Sequence, residues 1–340
     1  MRYRVTRVVK LRSKPAQDSP NPHGRVDLDD KITIIAKNNE WRQVTVVDRF
    51  ARTHREGFIK AKYLLEKEPT EDSTIIDYEP PVTVSEPFTA TGKPLTQENM
   101  DAACDLLHVN EAKVWAVLAV ETHGFGFFDN RKPRILFERH IFHRHTSGEF
   151  DDQPDISNIN PGGYIGGKKE YIRLEKALSL NHQAALMSAS WGIGQVMGFN
   201  FQSAGFSSPR KMVDAMLEDE GSQLPAMINF IKDHDLNIAL QYSNWEMFAR
   251  GYNGSEFKKN DYDTRLARAN AKYEVKLPNL KLRSAQAALT YLGYKPGPVD
   301  GLRGRRTHSA LIQYQEHATI AVTGELNEQT GIHLIKAAYK

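Results

Sequence analysis

The chain has 340 residues, of which 40% are apolar and 26% charged, with 45 Lys and Arg against 42 Asp and Glu. This is the composition of a soluble globular protein, and the length predicts two or three domains. It argues against a disordered or fibrous chain, and the near balance of charge argues against nucleic acid as a partner.

One cysteine and the lengths of the apolar runs narrow the class further. Cys104 is the only cysteine, so an intrachain disulfide is excluded, and its neighbours Leu106 and Leu107 predict a small buried side chain. No apolar run approaches the roughly 18 residues of a membrane span, and residues 1–30 contain no apolar core of a signal peptide. We therefore expect neither stable membrane insertion nor a leader.

Residues 1–66 predict a small all-β domain. Short runs of alternating polar and apolar residues, such as RQVTVV at 42–47, are separated by turn-forming clusters rich in Pro, Asn, Asp and Gly. Residues 67–94 are rich in Pro, Glu and Thr and have no helical period. They predict an extended and fairly stiff linker.

Helical periodicity begins at Thr96, a predicted N-cap, and resumes after Asn110, the predicted cap of a second helix. In this second helix Glu121 follows Val117 and Leu118 on one apolar face, and Gly124 is placed to end the helix. Burial and the partial negative charge of the helix C-terminus both raise the pKa of a carboxyl group there. Such a group suits a general acid that protonates a glycosidic oxygen. The alternative is an acid at a frayed helix end that turns out to water.

Two later segments are typical of a sugar-binding cleft. SWGIGQVMG at 190–198 combines three glycines with Gln195, which lets the backbone approach a ligand closely while one amide contacts it. FARGYNG at 248–254 places Tyr252 beside Asn253, which suits stacking on a sugar and hydrogen bonding to it. We also predict Trp191 and Phe125 as walls of the cleft.

A helix ending in Glu, then S-x-G-x-G-Q-V-M, then A-x-x-Y-N-G resembles the lysozyme-like superfamily of goose-type lysozymes and soluble lytic transglycosylases. The strings ETHGFG at 121–126, ILFERH at 135–140 and residues 190–198 are similar to the N-acetylmuramidase domain of modular phage endolysins. The resemblance implies a mainly α, lysozyme-like (α+β) domain over residues 95–275, with Glu121 as its catalytic acid. The substrate-binding residues that it implies are Gln195, Met197, Tyr252 and Asn253. We add Ser190 and Trp191 as further candidates.

The connection between Glu121 and Ser190 is much longer than in the transglycosylases. It contains four acids that are candidates for a second carboxylate orienting water: Glu138, Asp151, Asp152 and Asp155. We select Glu138 as the second catalytic candidate. Its structural alternative is an ion pair with Arg134 or Arg139 that only shapes the cleft.

Three histidines in the same connection, His140, His143 and His145, stand near Glu138 but do not predict a metal site. They lack the i, i+4 spacing of a helical zinc pair, and the neighbouring Arg144 would repel a cation. We predict no metal and no cofactor.

The two flanking regions resemble wall-binding modules. LRSKP at 11–15, WRQV at 41–44 and GFIKAKYL at 57–64 resemble a bacterial SH3-like domain, with a spacer barrel as the alternative. Residues 279–340 are similar to the three-helix peptidoglycan-binding module, with DGLRGRRT at 300–307 and Thr307 as a predicted N-cap. No tandem repeat is apparent. The candidate wall-contacting residues are Tyr294, Asp300, Arg303 and Tyr314.

Together these resemblances imply an endolysin whose N-acetylmuramidase domain hydrolyses the β-1,4 bond between N-acetylmuramic acid and N-acetylglucosamine in peptidoglycan. We expect a monomer that stays in the host cytoplasm until another protein opens the membrane, and then acts on the periplasmic wall. Two wall-binding modules would keep the enzyme near many equivalent bonds. Two alternatives stay open: a lytic transglycosylase, in which the muramyl 6-hydroxyl replaces water as nucleophile, and a non-catalytic wall-binding virion protein.

Overall fold

A computed structural model describes residues 2–5, 9–14, 25–26, 31–47, 54–67, 88–122 and 124–339. The chain divides into two compact units, Met1–Pro80 and Pro81–Lys340. The strands of the described residues are β1 (Arg2–Val5), β2 (Val9–Lys10), β3 (Arg25–Val26), β4 (Lys31–Asn38), β5 (Trp41–Val47), β6 (His54–Lys60), β7 (Leu64–Lys67), β8 (Ile135–Phe137), β9 (Ala189–Trp191) and β10 (Val196–Met197).

The α-helices of the described residues all lie in the larger unit, Pro81–Lys340. They are α1 (Gln97–Leu107), α2 (Glu111–Thr122), α3 (Arg139–Thr146), α4 (Glu170–Leu180), α5 (His182–Met187), α6 (Pro209–Met216), α7 (Glu220–Asp233), α8 (Leu236–Gln241), α9 (Trp245–Asn253), α10 (Tyr262–Val275), α11 (Leu280–Tyr291), α12 (Arg305–His317) and α13 (Glu328–Ala338). Within the described residues, no helix combines the length and the apolar character needed to cross a membrane.

The N-terminal unit contains an antiparallel sheet of five strands in the order β6-β5-β4-β1-β7, and a separate pair, β2-β3. Val44 and Val46 of β5 are buried while Gln43 and Thr45 are partly exposed, which is the alternation that the sequence predicted. These valines pack with Leu11 and other apolar side chains in a small core of their own. Because β6 and β7 are the edges of the described sheet, a closed barrel is not seen in this part of the chain, and the SH3-like assignment stays a prediction.

Most of the predicted linker, residues 68–87, lies outside the described residues. Its last residues, 88–94, are packed against the helical unit. The ring of Phe88 lies 5.4 Å from that of Tyr171, and the Ala90 amide donates to the Arg131 carbonyl at 3.1 Å.

Both helix starts predicted for the central region are confirmed. Thr96 and Asn99 form a reciprocal capping box at the start of α1. The Asn110 side chain accepts from the Lys113 amide at 3.2 Å at the start of α2. The helices surround one large core, and β8, β9 and β10 form a small antiparallel sheet beside it in the order β10-β9-β8.

The C-terminal helices α11, α12 and α13 contain an internal repeat that the sequence did not reveal. In the first copy, the buried Gln286 side chain accepts from the Asp300 and Gly301 amides and donates to Leu302 O and Thr307 Oγ1. In the second copy, Gln315 accepts from the Thr323 and Gly324 amides and donates to Glu325 O and Thr330 Oγ1. In each copy one glutamine therefore holds the following turn and the next helix together.

The prediction that Thr307 caps a helix is wrong. α12 begins after Gly304, and Thr307 lies inside its first turn. The Thr307 hydroxyl donates to the Pro296 carbonyl at 2.9 Å and accepts from Gln286, so it serves the repeat and not a helix end.

Candidate active site

Glu121 lies at the C-terminal end of α2, as predicted. The face that it continues is buried at Val114, Val117 and Leu118, while Glu121 itself is only partly exposed. Gly124, with a φ of 81°, donates its amide to the Leu118 carbonyl at 3.0 Å. This left-handed glycine closes the helix and leaves the carboxyl group at its last turn.

Burial raises the pKa of Glu121 to about 7, against smaller lowering effects of Asn253 and Arg265. Asn253 Nδ2 donates to Glu121 Oε1 at 2.9 Å, which favours the charged form, and the Arg265 guanidinium acts in the same direction. Arg265 also donates to the Val120 carbonyl at 3.0 Å. The direction of this pKa shift is the one predicted from the sequence, and burial is its cause.

Asn253 and Tyr252, predicted as substrate-binding residues, both lie at the end of α9. The Asn253 Oδ1 atom is buried and has no hydrogen-bond partner among the described residues. The ring of Tyr252 stacks on Phe248 at 5.3 Å, and its hydroxyl donates to the Gly194 carbonyl at 2.5 Å. The end of α9 thereby links Glu121 to the glycine-rich segment at 190–198.

That segment is held by its own polar side chains. Ser190 Oγ donates to Gln195 Oε1 at 3.0 Å, and Gln195 Nε2 donates to the carbonyls of Gly192 and Arg134 at 2.9 and 3.1 Å. Gly192 has a φ of 67°, and a Cβ there would lie 2.9 Å from the Gln223 side chain. The Gln195 amide therefore stabilises the turn, and both protons of its Nε2 group are already used.

The prediction that Trp191 and Phe125 form walls of the cleft is wrong. Trp191 is 1% exposed, and its indole N–H donates to the Leu186 carbonyl at 3.1 Å, so it belongs to the core. Phe125 is also buried, among side chains that include Phe127 and Tyr291. Met197, paired with Ser190 across β9 and β10, stays partly exposed, as a substrate-contacting residue must be.

Glu138 precedes α3, and its side chain is 16% exposed. The Tyr164 hydroxyl lies 2.9 and 3.0 Å from its two carboxylate oxygens and donates to them. His140 Nδ1 approaches Glu138 Oε2 at 3.1 Å but makes no hydrogen bond there. Arg139 instead donates to the carbonyls of residues 154, 160 and 161, and Arg134 to that of Phe125. The arginine pairing considered for Glu138 is therefore replaced by a tyrosine.

Tyr262, at the start of α10, has a pKa that responds to both carboxyl groups. Burial raises the pKa of Tyr262, and the charges of both Glu121 and Glu138 raise it further, against Arg265. The guanidinium of Arg265 lies 5.2 Å from the centre of the Tyr262 ring. The charges of Glu121 and Glu138 therefore both act on the Tyr262 hydroxyl, and that of Glu138 has the smaller effect.

Sequence reasoning missed Tyr164, Tyr262 and Arg265. Tyr164 stands in the string GGYIGG at 162–167, and a single aromatic between glycine pairs is a signal that would have pointed to it. Tyr262 and Arg265 are one turn apart on a helix far along the chain from Glu121, and no local pattern singles them out.

The three other candidate acids of the long connection, Asp151, Asp152 and Asp155, form no hydrogen bond or ion pair with Glu121 or Glu138 within the described part of the chain. Asp151 accepts from Ser157 Oγ at 2.6 Å and lies 2.8 Å from His143 Nδ1, while Asp155 pairs with Lys176 at the surface. Asp152 is exposed. The described residues contain no group of three side chains suited to hold a metal ion.

Two of the four wall-contact candidates in the C-terminal helices serve the module itself. Asp300 Oδ1 accepts from Gln286 and from the Leu302 amide, and Tyr314 is buried with its hydroxyl 2.6 Å from His333 Nδ1. Arg303 is exposed and pairs with Glu325, and Tyr294 lies 2.9 Å from His317 Nδ1. Arg303 and Tyr294 are therefore the better placed to meet a ligand.

A buried carboxyl group with its pKa raised to about 7 and an asparagine amide hydrogen-bonded to it is suited to the general acid of a glycoside hydrolase. The model of the N-acetylmuramidase family matches residues 110–274, and that of a peptidoglycan-binding domain matches residues 279–333. Among solved structures, the crystal structure of Burkholderia AP3 phage endolysin is similar, with 37% identity over 54% of this chain and 71% of that chain and a TM-score of 0.50. No curated protein matches the chain.

The chain therefore belongs to the family of modular phage endolysins that carry an N-acetylmuramidase domain and a peptidoglycan-binding domain. It is an enzyme of the peptidoglycan-hydrolysing glycoside hydrolases.

Proposed function

We propose that this endolysin cleaves the β-1,4 bond between N-acetylmuramic acid and N-acetylglucosamine with Glu121 as the general acid. The observation that carries the proposal is the burial that raises the pKa of Glu121 to about 7 beside Asn253. At neutral pH a large fraction of the molecules then hold the proton that the leaving oxygen needs.

Glu138 supplies the second carboxylate in this proposal. The single hydroxyl proton of Tyr164, shared between the two carboxylate oxygens, holds Glu138 in place. An oriented carboxylate accepts a proton from water as the water attacks the sugar. The buried Asn253 Oδ1, which lacks a partner within the described chain, is an acceptor for an N–H or O–H group of the substrate.

The products released from purified peptidoglycan by the wild type and by Glu121→Gln test this function. Mass spectrometry of reducing muramic-acid ends that disappear in the variant would support the hydrolase. Anhydro ends, lighter by one water, would instead identify a lytic transglycosylase, and release of nothing by the wild type would leave a wall-binding protein. Glu111→Gln, in the first turn of the same helix, is the matched control and should retain activity.

We also propose that both flanking modules bind the wall. The match of residues 279–333 to a peptidoglycan-binding domain supports this for the C-terminal helices. For the N-terminal unit, the support is the resemblance of its sequence to SH3-like domains and its own small core. Co-sedimentation with purified cell walls, compared between the full chain and variants altered in one module, measures how much that module contributes to binding.

A further inference from the structure

A buried ion pair joins the C-terminal helices to the catalytic region. Arg283, in α11, and Glu220, the first residue of α7, are both 0% exposed. Their contact is bidentate, with Nη1 2.5 Å from Oε2 and Nη2 2.7 Å from Oε1. A pair removed from water in this way is stable only when its other polar atoms are also satisfied.

The backbone beyond the catalytic helix satisfies those atoms. Arg283 Nε donates to the Gly124 carbonyl at 3.0 Å, and Nη2 donates to the same oxygen. Glu220 Oε1 accepts from the Gly126 amide at 2.7 Å, and Oε2 from the Leu95 amide at 2.8 Å. The pair thereby fixes residues 124–126, the segment that leaves the helix of Glu121.

Apolar contacts surround this pair. The Arg283 guanidinium lies 5.5 Å from the ring of Trp115 in α2 and 5.3 Å from the ring of Phe125. Phe125 and Phe127 belong to one buried cluster with Ala287 and Val299 of the C-terminal region. Only residues 275–278 separate the two family matches. The C-terminal helices are thus docked on the catalytic domain and do not hang from a flexible linker.

We propose that Arg283 and Glu220 are positioning residues for the catalytic acid, so that the C-terminal module completes the active site as well as binding the wall. This inference rests on the proposed role of Glu121. Loss of Arg283 leaves the Glu220 carboxyl group without its partner in the interior, and the Gly124 carbonyl loses both hydrogen bonds from Arg283. The hydrogen bond from the Gly126 amide to Glu220 is weakened with it. The last turn of α2 then no longer holds Glu121 in one orientation, and small displacements of a catalytic group are costly.

Steady-state kinetics of the full chain on a soluble peptidoglycan oligosaccharide test the proposal, because such a substrate does not depend on wall binding. We expect Arg283→Met to lower kcat at least about 10-fold with KM within about 2-fold, since no substrate-contacting group is changed. Arg283→Lys keeps the charge but not the bidentate geometry, so its kcat should lie between those of the wild type and Arg283→Met. Arg210→Met, which removes a partly exposed arginine paired with Asp214, should leave both constants unchanged.

Two further variants and measurements keep the outcome interpretable. The double variant Glu220→Gln, Arg283→Met lacks the ion pair but leaves no unpaired carboxyl group in the interior. If Arg283→Met alone does not fold, the double variant replaces it, and its kcat should also be at least about 10-fold below that of the wild type. Co-sedimentation with purified walls should be unchanged in any folded variant. Near-UV circular dichroism identifies the folded variants.

Amide hydrogen exchange of residues 124–128, measured by mass spectrometry, separates the structural step from the catalytic one. Exchange should rise in Arg283→Met. Unchanged exchange would refute the anchoring, and raised exchange with unchanged kcat would refute its catalytic role. If the wild type released neither reducing nor anhydro ends, the proposed function and the catalytic role would fall together, while exchange would still decide whether the C-terminal helices hold this segment.

Discussion

Glu121 is a residue at which catalysis and stability oppose each other. Burial raises its pKa from 4.5 to about 7, so above neutral pH the folded protein holds a carboxylate that the unfolded chain would expose to water. Because the folded pKa is above the unfolded one, the folded state binds more protons between these two values. Stability therefore falls as the pH rises through this window and stays lower above it.

We expect Glu121→Gln, which removes the proposed general acid, to raise the free energy of unfolding by up to about 3 kcal/mol near pH 8 and by almost nothing near pH 4. The amide mimics the protonated acid and carries no charge to bury. Urea unfolding of both proteins across this pH range gives the difference directly. A difference that does not change with pH would contradict a raised pKa.

We expect Arg265 to influence the upper end of the pH range of activity. Its positive charge lowers the pKa of Glu121, so Arg265→Gln should raise that pKa. A general acid works only when protonated, and the fall of kcat at alkaline pH should therefore move to higher pH in the variant. The pH dependence of kcat on a soluble oligosaccharide measures this, with Arg268→Gln, exposed one turn further along α10, as control. Movement to lower pH would exclude a direct effect of this charge.

At the scale of elements, the glycine-rich loop before α4 presents Tyr164 to Glu138. Its backbone is held by Glu170, which accepts from the amides of Ile165 and Gly166 at 2.7 and 2.8 Å, while Tyr164 is 48% exposed. The loop thus combines a fixed backbone with an accessible tyrosine. Its hydroxyl orients the second carboxylate of the proposed mechanism.

Tyr164→Phe should lower kcat about 10-fold, whereas Glu138→Gln should lower it about 10²–10⁴-fold, because the first loosens the base and the second removes it. The kcat of each variant is measured on a soluble oligosaccharide. Tyr242→Phe is the control, since Tyr242 is 82% exposed after α8. Equal losses in the two test variants would mean that Tyr164 does more than orient Glu138.

The two glutamines of the C-terminal repeat should matter equally for stability. Each satisfies two backbone amides of a turn, so Gln286→Ala and Gln315→Ala both leave buried donors without acceptors. We expect each to lower the stability of the module by about 3 kcal/mol and to weaken wall binding. Gln313→Ala, exposed on α12, is the matched control. Thermal unfolding and wall co-sedimentation decide the matter, and unequal effects would argue against equivalent copies.

Local signals explain which elements the sequence predicted. Thr96 and Asn110 act on amides three residues away, so their roles as caps are written in adjacent residues. The repeat escaped detection because Gln286 is 14 residues from Asp300 while Gln315 is only 8 from Thr323, which leaves no constant period. Trp191 was misplaced because a tryptophan beside glycines suits a cleft wall and a core equally well, and only packing decides between them.

At the scale of the whole molecule, contacts between distant residues set the limit of prediction. Arg283 and Glu220 are 63 positions apart, and each is an ordinary charged residue of a helix in the sequence. Their pairing appears only when α11 packs beside the segment that follows α2. The sequence predicted separate catalytic and binding modules, and the structure adds that two of them share an interior.

The N-terminal unit should behave differently from the C-terminal helices. It has its own core, and Met1–Pro80 is a compact unit by itself. Removal of this unit should leave kcat on a soluble oligosaccharide unchanged but lower the rate on intact sacculi about 10–100-fold, because one weak attachment to the polymer is lost. Arg283→Met should reduce both rates. Parallel assays of the two proteins on the two substrates therefore separate attachment from positioning. An unchanged rate on sacculi after the deletion would exclude wall binding by the N-terminal unit, and a lower rate on the soluble substrate would give that unit a part in the catalytic domain.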